Sequence, residues 1–100
     1  MVGGVSQQYF STPMGARIVD QFSNGIAHES KVGYVSLTKS IKNQILKDRY
    51  LVQNDLIKGS HWHFFKSPKT GKIGPSKPLM EFMQQNGIKY SHMYFTICLL

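Results

Sequence analysis

Cysteine is almost absent from this chain. Cys98 is the only one, which excludes an internal disulfide and a zinc site built on cysteines, and leaves Cys98 itself to packing. No apolar run approaches the roughly 18–20 residues that a membrane-spanning helix requires, so no membrane partner is expected. Met1 to Pro13 lacks the basic stretch and apolar stretch that make a secretory signal. Acids are scarce too. Asp20, Glu29, Asp48, Asp55 and Glu81 are the full set, against 12 Lys and Arg, for a net charge of +7. Such a balance points to a polyanionic partner, nucleic acid first, then an acidic protein or a membrane surface. The alternative is a solvated basic surface with no partner.

What is present suffices for one small folded domain. Hydrophobic residues make up 41% of the 100 residues, above the range of disordered chains. Residues 1–15 are polar and glycine-containing and read as a flexible lead-in or linker remnant, leaving 16–100 as the domain. Asn24-Gly25, flanked by Arg17-Ile18-Val19 and Ile26-Ala27, predicts a hairpin over Gly15 to Val35, because a type I′ turn needs positive φ at both central residues. Ser36 to about Asn54 reads as a helix, with Ser36 as its cap and Leu37, Ile41, Ile45 and Val52 as its apolar stripe. Asp48, between Lys47 and Arg49, reads as part of a surface ion pair. The aromatic run Ser60 to Lys66 reads as a strand. Ser76 and Pro78 open a second helix that stops at Asn86-Gly87, and Ile88 to Leu100 reads as a last strand. The expected order is β-β-α-β-α-β, an α/β or α+β class with a mixed sheet.

Two acids and a lysine gather at the hairpin. With Asn24 and Gly25 as the loop, an unbroken register opposes Asp20 to Glu29, and the strand period of two puts Lys31 on the face of Glu29. Opposed carboxylates repel unless positive charge lies between them. A divalent cation would serve, with the lysine ammonium beside it, in the outline of a metal-assisted phosphodiester-cleaving site. A surface hairpin with one cross-strand ion pair, contributing well under about 1 kcal/mol, is the competing reading.

The string Asn24-Gly25-Ile26-Ala27-His28-Glu29-Ser30-Lys31-Val32-Gly33-Tyr34 is followed by Gln44-Ile45, Lys47-Asp48, His61-Trp62-His63-Phe64-Phe65, Ser67-Pro68, Gly74-Pro75-Ser76 and Pro78-Leu79. With Asp20 and the Glu29-Ser30-Lys31 tripeptide, it resembles the restriction-endonuclease-like superfamily and its PD-(D/E)xK motif, over about residues 16 to 92. More narrowly it resembles the C-terminal toxin domains that end bacterial polymorphic toxins of the Rhs and contact-dependent-inhibition kind. The resemblance implies a restriction-endonuclease-like core and a metal-dependent DNase using Mg²⁺ or Mn²⁺. It also implies delivery as part of a larger toxin into a target-cell cytoplasm and neutralisation by a cognate acidic immunity protein. It carries Asp20 and Glu29 over as metal ligands, the Ser30 carbonyl as a further ligand, Lys31 as the catalytic lysine and Gln44 as a supporting polar residue. The chain departs from the pattern in having Val19 before Asp20 instead of proline, and no acid in residues 1–15.

Further residues suit nucleic acid. His61 and His63 share a strand face, where they could contact substrate, stack on bases, or act as an acid–base pair of a metal-independent RNase. They could equally bond locally while Trp62 enters the core. Lys66, Lys69, Lys72 and Lys77, around Pro68, Gly71 and Gly74, and Lys39 on the first helix can neutralise phosphate. The glycine–lysine spacing is not that of a phosphate-binding GxxxxGK[ST] loop, and a solvated basic loop is the plainer alternative. A non-catalytic nucleic-acid or protein-binding module remains the third possibility beside the DNase and the RNase.

Overall fold

A computed structural model describes residues 5–93. Seven elements follow one another: β1 (Val5–Phe10), β2 (Arg17–Ser23), β3 (Ile26–Val32), α1 (Lys39–Gln53), β4 (Gly59–Phe65), α2 (Lys77–Gln85) and β5 (Lys89–Met93). The class is α+β, with one five-stranded mixed sheet in the order β1-β2-β3-β4-β5. The pairs β1–β2 and β2–β3 are antiparallel, whereas β3–β4 and β4–β5 are parallel. The segment expected as a lead-in thus supplies a strand, β1. The expected last strand is found only as β5, and Tyr94 to Leu100, with Cys98, lies outside the described residues.

The hairpin forms where Asn24-Gly25 places it, with φ of 53° and 81° at the two loop residues, and Ser23 pairs with Ile26. Each parallel crossover, β3-α1-β4 and β4-α2-β5, moves one strand in the same direction. Right-handed crossovers therefore put both helices on the same face. Packing agrees: Ile45 of α1 and Leu79 and Met83 of α2 share one buried cluster with Trp62 and Phe64. A second cluster joins Val19 and Ala27 to Leu51 and Ile57. Among the described residues no helix covers the other face, which carries His28, His61 and His63.

Helix α1 begins two residues later than expected. Its cap is Thr38, whose hydroxyl accepts from the Ile41 amide. The reason lies in the preceding segment. The Gly33 carbonyl accepts from Gly74 N–H, and the Val35 carbonyl accepts from Ser76 N–H. These bonds hold 33–35 against 74–76, so the chain cannot turn helical at Ser36. Gly74 is needed there, because a Cβ on it would run into the Val35 backbone nitrogen. Ser76 caps α2 as expected, accepting from Leu79 N–H at 3.3 Å.

These connections fix the polarity of the molecule. The C-terminal ends of the parallel strands β3 and β4, the start of antiparallel β2, the first turn of α1 and the 66–76 loop all lie at one end of the sheet. In open α/β sheets that is the end where ligands bind.

Candidate functional site

Glu29 and Lys31 alternate with His28 and Ser30 along β3, so they point to the α1 face. Glu29 is buried, at 6% exposure. Its Oε2 meets the Lys31 ammonium at 3.0 Å, and its Oε1 accepts from the Arg17 guanidinium at 3.2 Å. The ammonium also donates to Gln44 Oε1 of α1 at 3.2 Å and lies 5.2 Å from the centre of the Trp62 ring. The acid, the lysine and the glutamine chosen from sequence are therefore brought together.

Asp20 is not opposed to Glu29. The β2–β3 pairing runs from the turn only as far as Gln21 with His28. Beyond it, Asp20 Oδ2 accepts from the Ser30 backbone N–H at 2.8 Å, standing where a ladder carbonyl would otherwise be. The β1–β2 ladder also skips this position, and Gln7, which would face Asp20, has a φ of 56°. Asp20 thus sits at an interruption in both ladders, one residue from Glu29 along the bonded strand. The positive charge that the paired acids demanded is internal: Arg17 and Lys31 both lie against Glu29.

Arg17 is in turn held by Asp48. Nε donates to Asp48 Oδ1 at 2.7 Å, and a terminal nitrogen reaches Oδ2 at 3.4 Å. Burial works against the charged guanidinium. The charge and hydrogen bonds of Asp48, then of Glu29, overcome that effect and hold its pKa above the ordinary arginine value. Asp48 Oδ2 also accepts from Ser60 Oγ at 2.7 Å and Trp62 Nε1 at 3.0 Å. Asp48 is fully buried, which corrects its expected place in a surface ion pair. It falls on the apolar stripe of α1 that runs through Ile41, Ile45 and Val52. An acid in a stripe position is the sequence signal for a buried, partnered carboxylate. Arg17 gave a fainter signal, two residues before buried Val19 on the same strand.

On the opposite face the three imidazoles pack together. The rings of His61 and His63 are stacked 4.4 Å apart at 3°, and His28 Nδ1 lies 2.9 Å from His63 Nε2. His61 Nε2 lies 2.6 Å from Ser91 Oγ. Desolvation lowers the pKa of all three. The charges of His28 and Lys89 lower His61 further, and those of His61 and His28 take His63 to about 4. A cleft of about 440 Å³ on this side is lined by Asp20, Gln21, His28, Ser30, His63, Phe65 and Met93. His28, unmarked in the sequence, is thus a full member of the group.

The lysines are spread around the end of the sheet described above. Lys39 is exposed at the start of α1, Lys66, Lys69 and Lys72 are exposed on the 66–76 loop, and Lys77 is exposed where α2 begins. Among the described residues no three His, Cys, Asp or Glu side chains are grouped so as to hold a metal ion. Comparison of the chain with protein-family models, with curated proteins and with solved structures found no match.

Proposed function

We propose that this chain is a metal-dependent endonuclease with a restriction-endonuclease-like core, a DNase acting as the toxic domain of a delivered bacterial toxin and countered by an acidic immunity protein. One observation carries the reading. At the interruption between β2 and β3, Glu29, Lys31 and Gln44 form a bonded chain, and Asp20 bonds the backbone of Ser30 between them. Acid, lysine and amide meet on the α1 face, and the second acid, Asp20, bonds the strand backbone beside them while lining the cleft on the opposite face, near the end of the sheet where parallel strands terminate. The order of hairpin, helix and parallel strand is also that expected of such a core.

The donors suit a hard divalent cation in kind. Asp20, Glu29 and the Ser30 carbonyl, two side chains and one backbone oxygen, would hold Mg²⁺ or Mn²⁺. Glu29 can be released toward an ion without orphaning Arg17, since the guanidinium is bound more closely to Asp48, at 2.7 Å against 3.2 Å. When bound, the ion supplies Lewis-acid polarisation of the phosphodiester and a water of lowered pKa. The residues of the chain do the rest. Gln44 and the Trp62 ring fix the Lys31 ammonium, which is positioned to orient an attacking water and to neutralise charge growing on the phosphate. Arg17 places a positive charge against Glu29.

The histidine RNase reading requires one imidazolium as acid beside one imidazole as base. With all three histidines held below their ordinary pKa, the group is neutral at pH 7 and offers bases without an acid. The test uses purified protein on supercoiled plasmid and on RNA, with Mg²⁺ or with EDTA. Mg²⁺-dependent nicking is expected, falling at least 100-fold in Glu29→Gln and in Lys31→Ala. Undiminished nicking in either variant, or activity that survives EDTA and vanishes in His63→Ala, would overturn the proposal. Salt-sensitive binding without cleavage under any metal would make the chain a binding module.

A further inference from the structure

A cleft of about 630 Å³ lies between the start of β2 and one side of α1. Ala16, Arg17 and Ile18 form one wall. Lys39, Ser40, Asn43, Gln44 and Lys47 form the other. The helix residues recur at spacings of one, three and four, so they share one side of α1. No carboxylate lines the cleft, although Glu29 and Asp48 lie just behind it. Its polar side chains are cations, a hydroxyl and amides, all able to donate hydrogen bonds.

These side chains divide into two groups. Arg17, Gln44 and Lys47 are committed: Arg17 to Asp48 and Glu29, Gln44 to Lys31, and Lys47 to the Ala16 carbonyl at 3.0 Å. They hold the walls in place. Lys39, Ser40 and Asn43 make no side-chain hydrogen bond or ion pair with any described residue, and all three are exposed. Lys39 and Ser40 also belong to the first turn of a 15-residue helix, where unpaired backbone N–H groups and the helix dipole favour an anion. Three idle donors, a helix start and a cleft without acids all favour the same kind of ligand.

We infer that this cleft is a phosphate subsite that seats the sugar–phosphate backbone of a nucleic-acid strand through Lys39, Ser40 and Asn43. Gln44 is shared between the cleft wall and Lys31, so a strand seated here passes next to the Glu29–Lys31 pair. The inference rests on the nuclease reading for that consequence, but not for the binding itself. Ser40 and Asn43 carry no charge, which is why a search of the sequence for basic positions passes over them.

Binding is measured by fluorescence anisotropy with a labelled DNA duplex, in EDTA, on the Glu29→Gln background so that nothing is cut. Lys39→Gln/Asn43→Ala is expected to weaken binding at least 5-fold and to lower the slope of log K against log salt by about 1. Titration of inorganic phosphate into ¹⁵N-labelled protein is expected to shift the amides of residues 39–43. An unchanged affinity and slope in the double variant, or phosphate shifts confined to residues 66–77, would overturn the subsite. The two proposals fail separately. A chain that binds through the cleft but never cleaves DNA or RNA with Mg²⁺ loses the nuclease reading and keeps the subsite. A chain that cleaves, with a double variant that binds as tightly as the parent, does the reverse.

Discussion

Asp48 receives four hydrogen bonds from three residues in a place water does not reach. Removing it strands a buried guanidinium opposite Glu29 alone. Asp48→Ala is expected to cost about 3–5 kcal/mol, the usual consequence of breaking a buried ion pair from one side. Urea unfolding at unchanged m value checks this, and a loss under about 1 kcal/mol would show that Arg17 does not depend on Asp48. Removing both charges in Arg17→Met/Asp48→Leu is expected to recover much of the loss. The histidine group gives a second expectation, with the same sign as an acid whose pKa folding lowers. Because folding lowers these pKa values, the unfolded chain takes up protons first as pH falls. Stability is therefore complete above the unfolded histidine value of about 6.5 and declines as pH drops toward about 4, where His63 itself titrates in the folded state. His63→Gln is expected to flatten the decline in urea midpoint between those limits. A slope unchanged by His63→Gln would mean that the imidazoles titrate alike in both states.

Turn chemistry is the part of the elements that was open to reading in advance. Asn24-Gly25 dictated the hairpin because few other pairs tolerate two positive φ values. Ser76, Pro78 and Asn86-Gly87 bounded α2 for equally local reasons. The start of α1 was not legible, since Ser36 and Thr38 are both good caps and the choice is made by bonds from 74–76, forty residues away. The site divides the same way. Glu29, Lys31 and Gln44 meet because strand and helix periods place them so, but Asp20 was misplaced by one assumption, that the ladder continues past Gln21. A break in a ladder leaves no trace in alternation when the residues there are as neutral in pattern as Asp20 and Gln21. Thr38→Ala tests the true cap. It is expected to cost about 1 kcal/mol of stability and, since Lys39 and Ser40 follow directly, to weaken DNA binding as well. Stability lost without any change in binding would separate the first turn of α1 from the anion cleft.

The whole molecule is polar along its strands, and this follows from topology more than from composition. A net charge of +7 says only that cations are in excess. The fold sorts them. Lys39, Lys66, Lys69, Lys72 and Lys77 stand at the end where β3 and β4 terminate, around the anion cleft and the Glu29–Lys31 pair. Lys58 and Lys89 stand at the other end, beside the starts of β4 and β5. If nucleic acid is held at the first end, the two sets must differ in the counterions they displace. Neutralising Lys66, Lys69 and Lys72 together is expected to lower the salt slope of DNA binding by about 2–3, since each phosphate contact contributes about 0.9. Neutralising Lys58 and Lys89 is expected to leave it within about 0.5 of the parent. Equal effects from both sets would mean that the duplex sees a diffuse positive charge with no preferred end, and the anion cleft would then lose its claim to orient the strand toward Lys31. A larger effect from Lys58 and Lys89 would place the nucleic acid on the uncovered face instead, across the stacked imidazoles of His28, His61 and His63.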